Sequence, residues 1–412
     1  MCLRSSAAVK LFVGLTVLQQ LTMIGRVNFS APFSRMTATA CLAALSAGCA
    51  APPLDAARLP AIGAAIDKAH AERKLPGAAF RLERHGAFHE SFHGRLSFDE
   101  TAEAVGARTV YDAASLTKVL ATAPAVLLLA EEGKVGLDDP LSAWFPDCAA
   151  GGLGALTVRQ LLTHTSGLPS GLKGDPPWSG ADAAYALACS RTLTHDPGTF
   201  FRYSDVNYVL LGRLVASAAG MPFERYVQER LFVPLGMADT GFLPLQRIDS
   251  ARIAPTAPQA QYAPGIVHDP TARRMGGVAG SAGVFTTTAD VARFARMLLA
   301  GGMHEGVQVL APASVRLMST VQTPPGIKET RAMGMDIGSP FSRPRGDLFP
   351  ATSYGHTGFT GCILWIDPVS QTFYVFLSNR VYPDMKSNIV PLYGELGTLA
   401  ARAVTGADFK QK

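Results

Sequence analysis

Two continuous apolar runs near the C-terminus constrain the fold most. Gly361–Asp367 (GCILWID) and Thr372–Asn379 (TFYVFLSN) flank the turn Pro368-Val369-Ser370-Gln371. Short runs rich in β-branched and aromatic residues on either side of a turn predict an antiparallel hairpin. A second hairpin is predicted over 77–95, turning at His85-Gly86. The segments between are helical in pattern: 55–75, with Ile62, Ile66 and Ala69 on one stripe, then 116–132, 157–163, 180–189, 206–219 and 222–232. A last helix is predicted from about 388 to 404. Strands at both ends with helices in the middle predict an α+β fold. Its antiparallel sheet is built from both chain ends and flanked by helices. An all-helical insertion at about 135–250 completes it, with the active site at the seam.

The first 49 residues differ from the rest. They hold Arg4, Lys10, Arg26 and Arg35 and no acidic residue, so they carry +4 of the chain's net +5. The remainder is close to neutral, which removes any net-charge argument for nucleic-acid binding. Residues 1–49 read as an export leader: Arg35 precedes an apolar, small-residue run that ends at Gly48-Cys49. Leu45-Ser46-Ala47-Gly48-Cys49 resembles a bacterial lipoprotein processing site, making Cys49 the lipidation candidate; cleavage without lipid is the competing reading. A periplasmic or cell-envelope location is expected, and the catalytic part is assigned to 50–412. No stretch after Cys49 is expected to cross a membrane. Cys148, Cys189 and Cys362 remain after the leader. They are expected as buried thiols, a Cys148–Cys189 pair being the alternative in an oxidising compartment.

Chemistry concentrates in three places. Ser115-Leu116-Thr117-Lys118 puts a hydroxyl and an ammonium on one helical face at the start of an apolar helix. Burial and the positive helix end are expected to lower the Lys118 pKa and make it a base beside a nucleophile. Tyr203-Ser204-Asp205 follows the Pro197-Gly198 turn and precedes a helix. A phenol there, beside Lys118, is favoured toward phenolate and can relay a proton. His356-Thr357-Gly358 precedes the C-terminal hairpin and is expected on a strand edging the cleft, with Gly358 permitting close backbone approach. The N–H groups of Ser115 and Phe359 are the expected oxyanion donors.

These motifs, in this order, resemble the serine beta-lactamase and penicillin-binding protein superfamily, near its class C beta-lactamase, D-alanyl-D-alanine carboxypeptidase and esterase branch. Further similar segments are Glu131–Pro140, Leu161–Leu168 and Gly280–Asp290. The resemblance spans roughly 60–400. It implies a beta-lactamase/transpeptidase-like fold and an acyl-enzyme on Ser115. Lys118 would take the serine proton and Tyr203 would protonate the leaving group. Asp205, His356, Thr357 and Gly358 would contact substrate, with no cofactor and no metal. Two positions depart from beta-lactamases: Asp205 stands in place of asparagine, and His356 in place of lysine. Both weaken the case for beta-lactam hydrolysis.

The expected substrates are therefore a small ester or a peptidoglycan-type D-amino-acid peptide, with a beta-lactam third. A carboxypeptidase would need a cation for the terminal carboxylate, from His356, Arg273 or Arg274. A non-catalytic penicillin-binding or peptidoglycan-binding protein is the reading from a different class. A monomer is expected, since the apolar segments are accounted for by core elements. His164 is expected to hold a loop in place by hydrogen bonding. Gly280-Ser281-Ala282-Gly283 is expected to let a loop pack on the sheet.

Overall fold

Both hairpins form, and they pair with each other. The computed structural model describes residues 53–258, 260–407 and 409; the leader and Cys49 lie outside the described residues. The strands are β1 (Gly77–Arg84), β2 (Ala87–Gly94), β3 (Tyr111–Asp112), β4 (Phe285–Thr286), β5 (Met303–His304) and β6 (Val307–Gln308), then β7 (Thr330–Arg331), β8 (Asp336–Gly338), β9 (Tyr354–Gly358), β10 (Cys362–Asp367) and β11 (Thr372–Ser378). Seven of them form one antiparallel sheet in the order β2-β1-β11-β10-β9-β8-β7. The first hairpin thus closes against the last strand, Phe80 opposite Phe376. His85 and Gly86 take positive φ of 50° and 81°, as a tight two-residue hairpin turn requires.

The unbroken apolar runs have a simple cause: the sheet is covered on both faces. Side chains alternate across a strand. Ile363, Trp365, Tyr374 and Phe376 pack with Ile62, Ile66 and Leu396, from the helices Leu59–Ala71 and Val390–Arg402. Leu364, Ile366, Val375 and Leu377 face the other way, into the core that holds Leu116, Val119, Leu120 and Phe294.

That second core contains the segment carrying Ser115 and Lys118, and here the expectation of a plain helix is corrected. Ala114–Leu116 is a 3₁₀ turn, Lys118–Thr122 a π turn, and only Ala123–Glu131 is regular α-helix. Pro124 lacks the N–H that would close an α-turn on residue 120, which is consistent with the wider turn before it. By length and composition, Ala114–Glu131 would also pass as a membrane span, contrary to expectation, but 83% of it is buried inside the protein.

Helices Val158–Leu162, Ala181–Cys189, Asp205–Ala219 and Phe223–Val227 fall where the sequence puts them. A π turn, Gln228–Phe232, extends the last. The first opens on a reciprocal cap between Thr157 and Gln160. Cys148 and Cys189 are joined in a disulfide, which corrects the expectation of free thiols. The fold brings their Cα atoms to 4.5 Å across 41 residues of sequence, a proximity the spacing could not reveal. Cys362 remains a buried free thiol.

Candidate active site

Ser115 follows a residue in a left-handed conformation, Ala114 at φ 46°. Asp112 holds that turn. Its Oδ1 accepts the Ala114 N–H at 2.8 Å and its Oδ2 the His268 N–H at 2.7 Å. Burial pushes the Asp112 carboxyl up to about 6, against the pull of those two bonds. The Asp112 carbonyl also accepts the Thr360 hydroxyl at 2.7 Å. The strand before Ser115 is thereby tied to the turn after β9. Gly358 makes the approach possible: a Cβ there would lie 2.4 Å from the Ala113 carbonyl oxygen.

Lys118 is fully buried, and its Nζ has three neighbours. Ser115 Oγ lies at 3.2 Å, the Ser281 carbonyl oxygen at 2.8 Å and Asp205 Oδ1 at 2.7 Å. Two of these can only accept. A neutral amine can donate to the Ser281 carbonyl and turn its lone pair to Ser115 Oγ, while Asp205 Oδ1 meets the nitrogen at ion-pair distance without hydrogen-bond geometry. The geometry therefore suits a base. The electrostatics oppose it, and this corrects the expected lowering of the Lys118 pKa. Burial does act downward, but the Asp205 carboxylate and Tyr203 outweigh it, and the net shift is upward. An asparagine at 205 would exert no such pull.

The segment 280–284 lies against the Lys118 turn, and Val284 belongs to the core that one face of the sheet also enters. Besides the Ser281 carbonyl, the Gly280 carbonyl accepts Thr122 Oγ1 at 2.6 Å, and Thr117 Oγ1 accepts the Val284 N–H at 3.1 Å. A Cβ on Gly280 would meet the Tyr208 carbonyl oxygen at 2.1 Å, so the backbone itself fills this seam.

The Tyr203 ring lies beside Lys118, with Nζ 5.1 Å from its centroid. Its hydroxyl is buried and makes no hydrogen bond of ordinary geometry, although Ser115 and Lys118 are close enough to act on its ionisation. Burial wins, so Tyr203 is held as a neutral phenol and not drawn toward phenolate. His164 buttresses it, ring centroids 4.4 Å apart. Its Nδ1 accepts the Ser204 N–H at 3.1 Å and faces the Asn207 amide nitrogen at 3.2 Å, the loop-holding role expected of it. Burial, then the Arg331 charge, keeps this imidazole neutral. Ser204 does not cap its helix: its hydroxyl donates to the Pro169 carbonyl instead.

His356, Thr357 and Gly358 sit on β9, as expected, and line a cleft of about 530 Å³ with Ser115, Tyr203 and Phe359. His356 is not a cation. Its Nδ1 lies 2.8 Å from the Thr357 carbonyl, which only accepts, so Nδ1 carries the proton and Nε2 keeps its lone pair. Burial, followed by Arg331 and Lys118, holds it neutral. Arg273 and Arg274, the other expected cations, are not among the residues lining this cleft. Arg273 donates to the Val267 and His268 carbonyls, and Arg274 lies over Trp178.

The cleft contains residues that motif reading missed. Phe341 covers Tyr203 at 5.1 Å between centroids. Arg380 lies over the Phe359 ring at 4.3 Å, donating to the Phe359 and Ser387 carbonyls. Arg380 lies two residues past the end of β11, and its position after a predicted strand end was the one available signal.

The α+β fold and the comparisons place the chain in a hydrolase superfamily that includes esterases, carboxypeptidases and beta-lactamases. Residues 62–393 match the Beta-lactamase family, and the chain belongs to that family. A relative named "Putative D-alanyl-D-alanine carboxypeptidase", from Escherichia coli (strain K12), is 34% identical over 309 residues, covering 66% of this chain and 69% of that protein. The structure of SurE with D-Leu superposes at TM-score 0.64 with 26% identity, over 85% of this chain and 75% of that one. A penicillin-binding protein homolog from Caulobacter crescentus superposes at TM-score 0.68 with 21% identity, over 84% and 98%; that likeness speaks to fold alone.

Proposed function

We propose that this protein is an exported serine hydrolase that works through an acyl-enzyme on Ser115 and cleaves a small ester or a D-amino-acid amide. The observation that carries the reading is the environment of Lys118 Nζ, with two acceptor-only oxygens and Ser115 Oγ as its neighbours. Once neutral, Lys118 takes the Ser115 proton as Oγ bonds to the substrate carbonyl carbon. The oxyanion is received by the N–H groups of Ser115 and Phe359. The C–N or C–O bond then breaks, the leaving group taking a proton from Tyr203, which is replenished from Lys118. Water attacks the acyl-enzyme by the reverse of these transfers and restores Ser115.

Residues 50–412 are assigned as the catalytic part, the helical stretch at about 135–250 supplying Tyr203 and Asp205. The leader with Cys49 is assigned to export. Two features disfavour a beta-lactam as natural substrate: the negative charge at Asp205 and the neutral imidazole at His356. The peptidase arm is favoured over a plain esterase by the carboxypeptidase name of the E. coli relative and by the arginine in the cleft.

The test is turnover of p-nitrophenyl butyrate, a penicillin and a D-alanyl-D-alanine peptide by residues 50–412, with Ser115→Ala beside it. Ester or peptide hydrolysis that Ser115→Ala abolishes is expected. Penicillin as the fastest substrate would overturn the substrate assignment, and activity retained by Ser115→Ala would overturn the mechanism.

A further inference from the structure

Opposite charges stand near Ser115. One is Asp205, which does not itself line the cleft of Ser115 but whose side chain is 37% exposed although its Oδ1 is buried against Lys118. The exposure therefore falls on the other atoms of the side chain. Asp205 Oδ1 and Ser115 Oγ touch the same lysine nitrogen, so the carboxylate lies within two contact lengths of the nucleophile. Asp269 lies close enough to Asp205 for the two charges to oppose each other. The other is Arg380, which lines the cleft with Ser115, Phe359 and Lys386. Lys386 is paired with Asp384, whereas Arg380 has no carboxylate partner among the described residues. His356 cannot substitute for it, because its unpartnered Nε2 accepts and does not donate.

We propose that the cleft selects a substrate charged at both ends, an unblocked dipeptide whose α-amine meets Asp205 and whose carboxylate meets Arg380. This rests on the acyl-enzyme reading above and narrows it. An asparagine at 205 could donate to a substrate carbonyl, but a carboxylate there can only accept. The complement is therefore an N–H, best an ammonium. An α-amine is two bonds from the scissile carbonyl carbon, which suits a carboxylate this near Ser115. The net reaction adds one water across the C–N bond and releases two amino acids, each keeping its own charges.

The arrangement also answers the unfavourable state of Lys118. A substrate ammonium on Asp205 competes for the carboxylate that holds the lysine proton and adds a like charge nearby. The base is then freed when the correct substrate binds and stays protonated otherwise.

The experiment compares kcat/KM for alanyl-alanine, in D,D and L,L forms, with its N-acetylated and C-amidated analogues. p-Nitrophenyl acetate serves as the neutral control. Each blocked end should lower kcat/KM about tenfold or more in the preferred enantiomer. Asp205→Asn should collapse the penalty for N-acetylation and Arg380→Gln that for amidation, each normalised to the neutral ester. The acidic limb of kcat should lie at lower pH for the free amine than for the N-acetyl peptide. An N-acetylated peptide cleaved as well as the free one by the wild-type protein would overturn this inference, while turnover of p-nitrophenyl acetate at Ser115 left the hydrolase reading standing. Absence of any acylation at Ser115 by the neutral ester would overturn both.

Discussion

Replacing Asp205 with asparagine should make this protein a faster catalyst at neutral pH toward a neutral ester and a less stable one. Asp205 Oδ1 lies 2.7 Å from a buried lysine nitrogen. At that distance Coulomb's law gives about 6 kcal/mol at an effective dielectric of about 20 and about 1.5 kcal/mol in bulk water. The carboxylate is more than a third exposed, so solvent screening brings the value toward the lower figure, and about 2 kcal/mol is reasonable. That is about 1.5 pKa units. The sign follows from the direction of the shift. Lys118 is held above its ordinary value by Asp205, so removing the carboxylate lowers its pKa and exposes the base at lower pH. With p-nitrophenyl butyrate, the ascending limb of kcat/KM should move down by roughly 1–2 units, a gain of about 10–100-fold at a pH below both limbs. The same coupling appears in stability. A lysine whose folded pKa exceeds its unfolded value near 10.4 contributes stability that is full below that pH and fades as pH rises through the folded value. The variant should therefore lose about 2 kcal/mol at pH 7 by urea unfolding. A limb that stays in place, or moves upward, would refute the claim that Asp205 sets the protonation of Lys118.

Two further substitutions probe the supports of the site. Arg331 and Asp336 form an ion pair at 2.8 Å with both side chains essentially buried, so Asp336→Ala should cost roughly 3–5 kcal/mol in urea unfolding by stranding the guanidinium. Because Arg331 lies 5.7 Å from the Tyr203 ring centroid, activity should fall too; a loss under about 1 kcal/mol would contradict the placement. Gly358→Ala would drive a methyl into the Ala113 carbonyl. It should lower stability by about 1–3 kcal/mol and displace Ser115, seen as a lower melting temperature with kcat reduced more than KM changes. A variant with wild-type kcat would show that the approach of β9 to Ser115 is not needed.

Both hairpins of the sheet were legible because they have turn residues with a mechanism and strands with the right composition; β7 and β8, only two and three residues long, carry no such signal. Most helices were legible for the same kind of local reason, such as the Thr157 cap and the glycine ending the helix at 220. What the sequence could not carry was pairwise and non-local. The disulfide between Cys148 and Cys189 depends on a fold that joins distant segments. The π turn at Lys118 depends on packing against 280–284 as well as on Pro124. The placement of Ser115, Lys118, Tyr203 and His356 about one cleft was anticipated, but their charge states were not. Each is set by neighbours from other elements: Asp205 acting on Lys118, burial on Tyr203, and burial with Arg331 on His356. Arg380 was missed because a single arginine after a strand has no signature apart from the cleft it enters.

The central claim is that Ser115 becomes acylated. The most direct measurement is intact-mass spectrometry of residues 50–412, acid-quenched during turnover of p-nitrophenyl butyrate, followed by peptide mapping. The account predicts a single butyryl adduct on the peptide containing Ser115, absent in Ser115→Ala and lost with time as water deacylates it. An adduct mapped to another residue, or ester hydrolysis undiminished in Ser115→Ala, would contradict it.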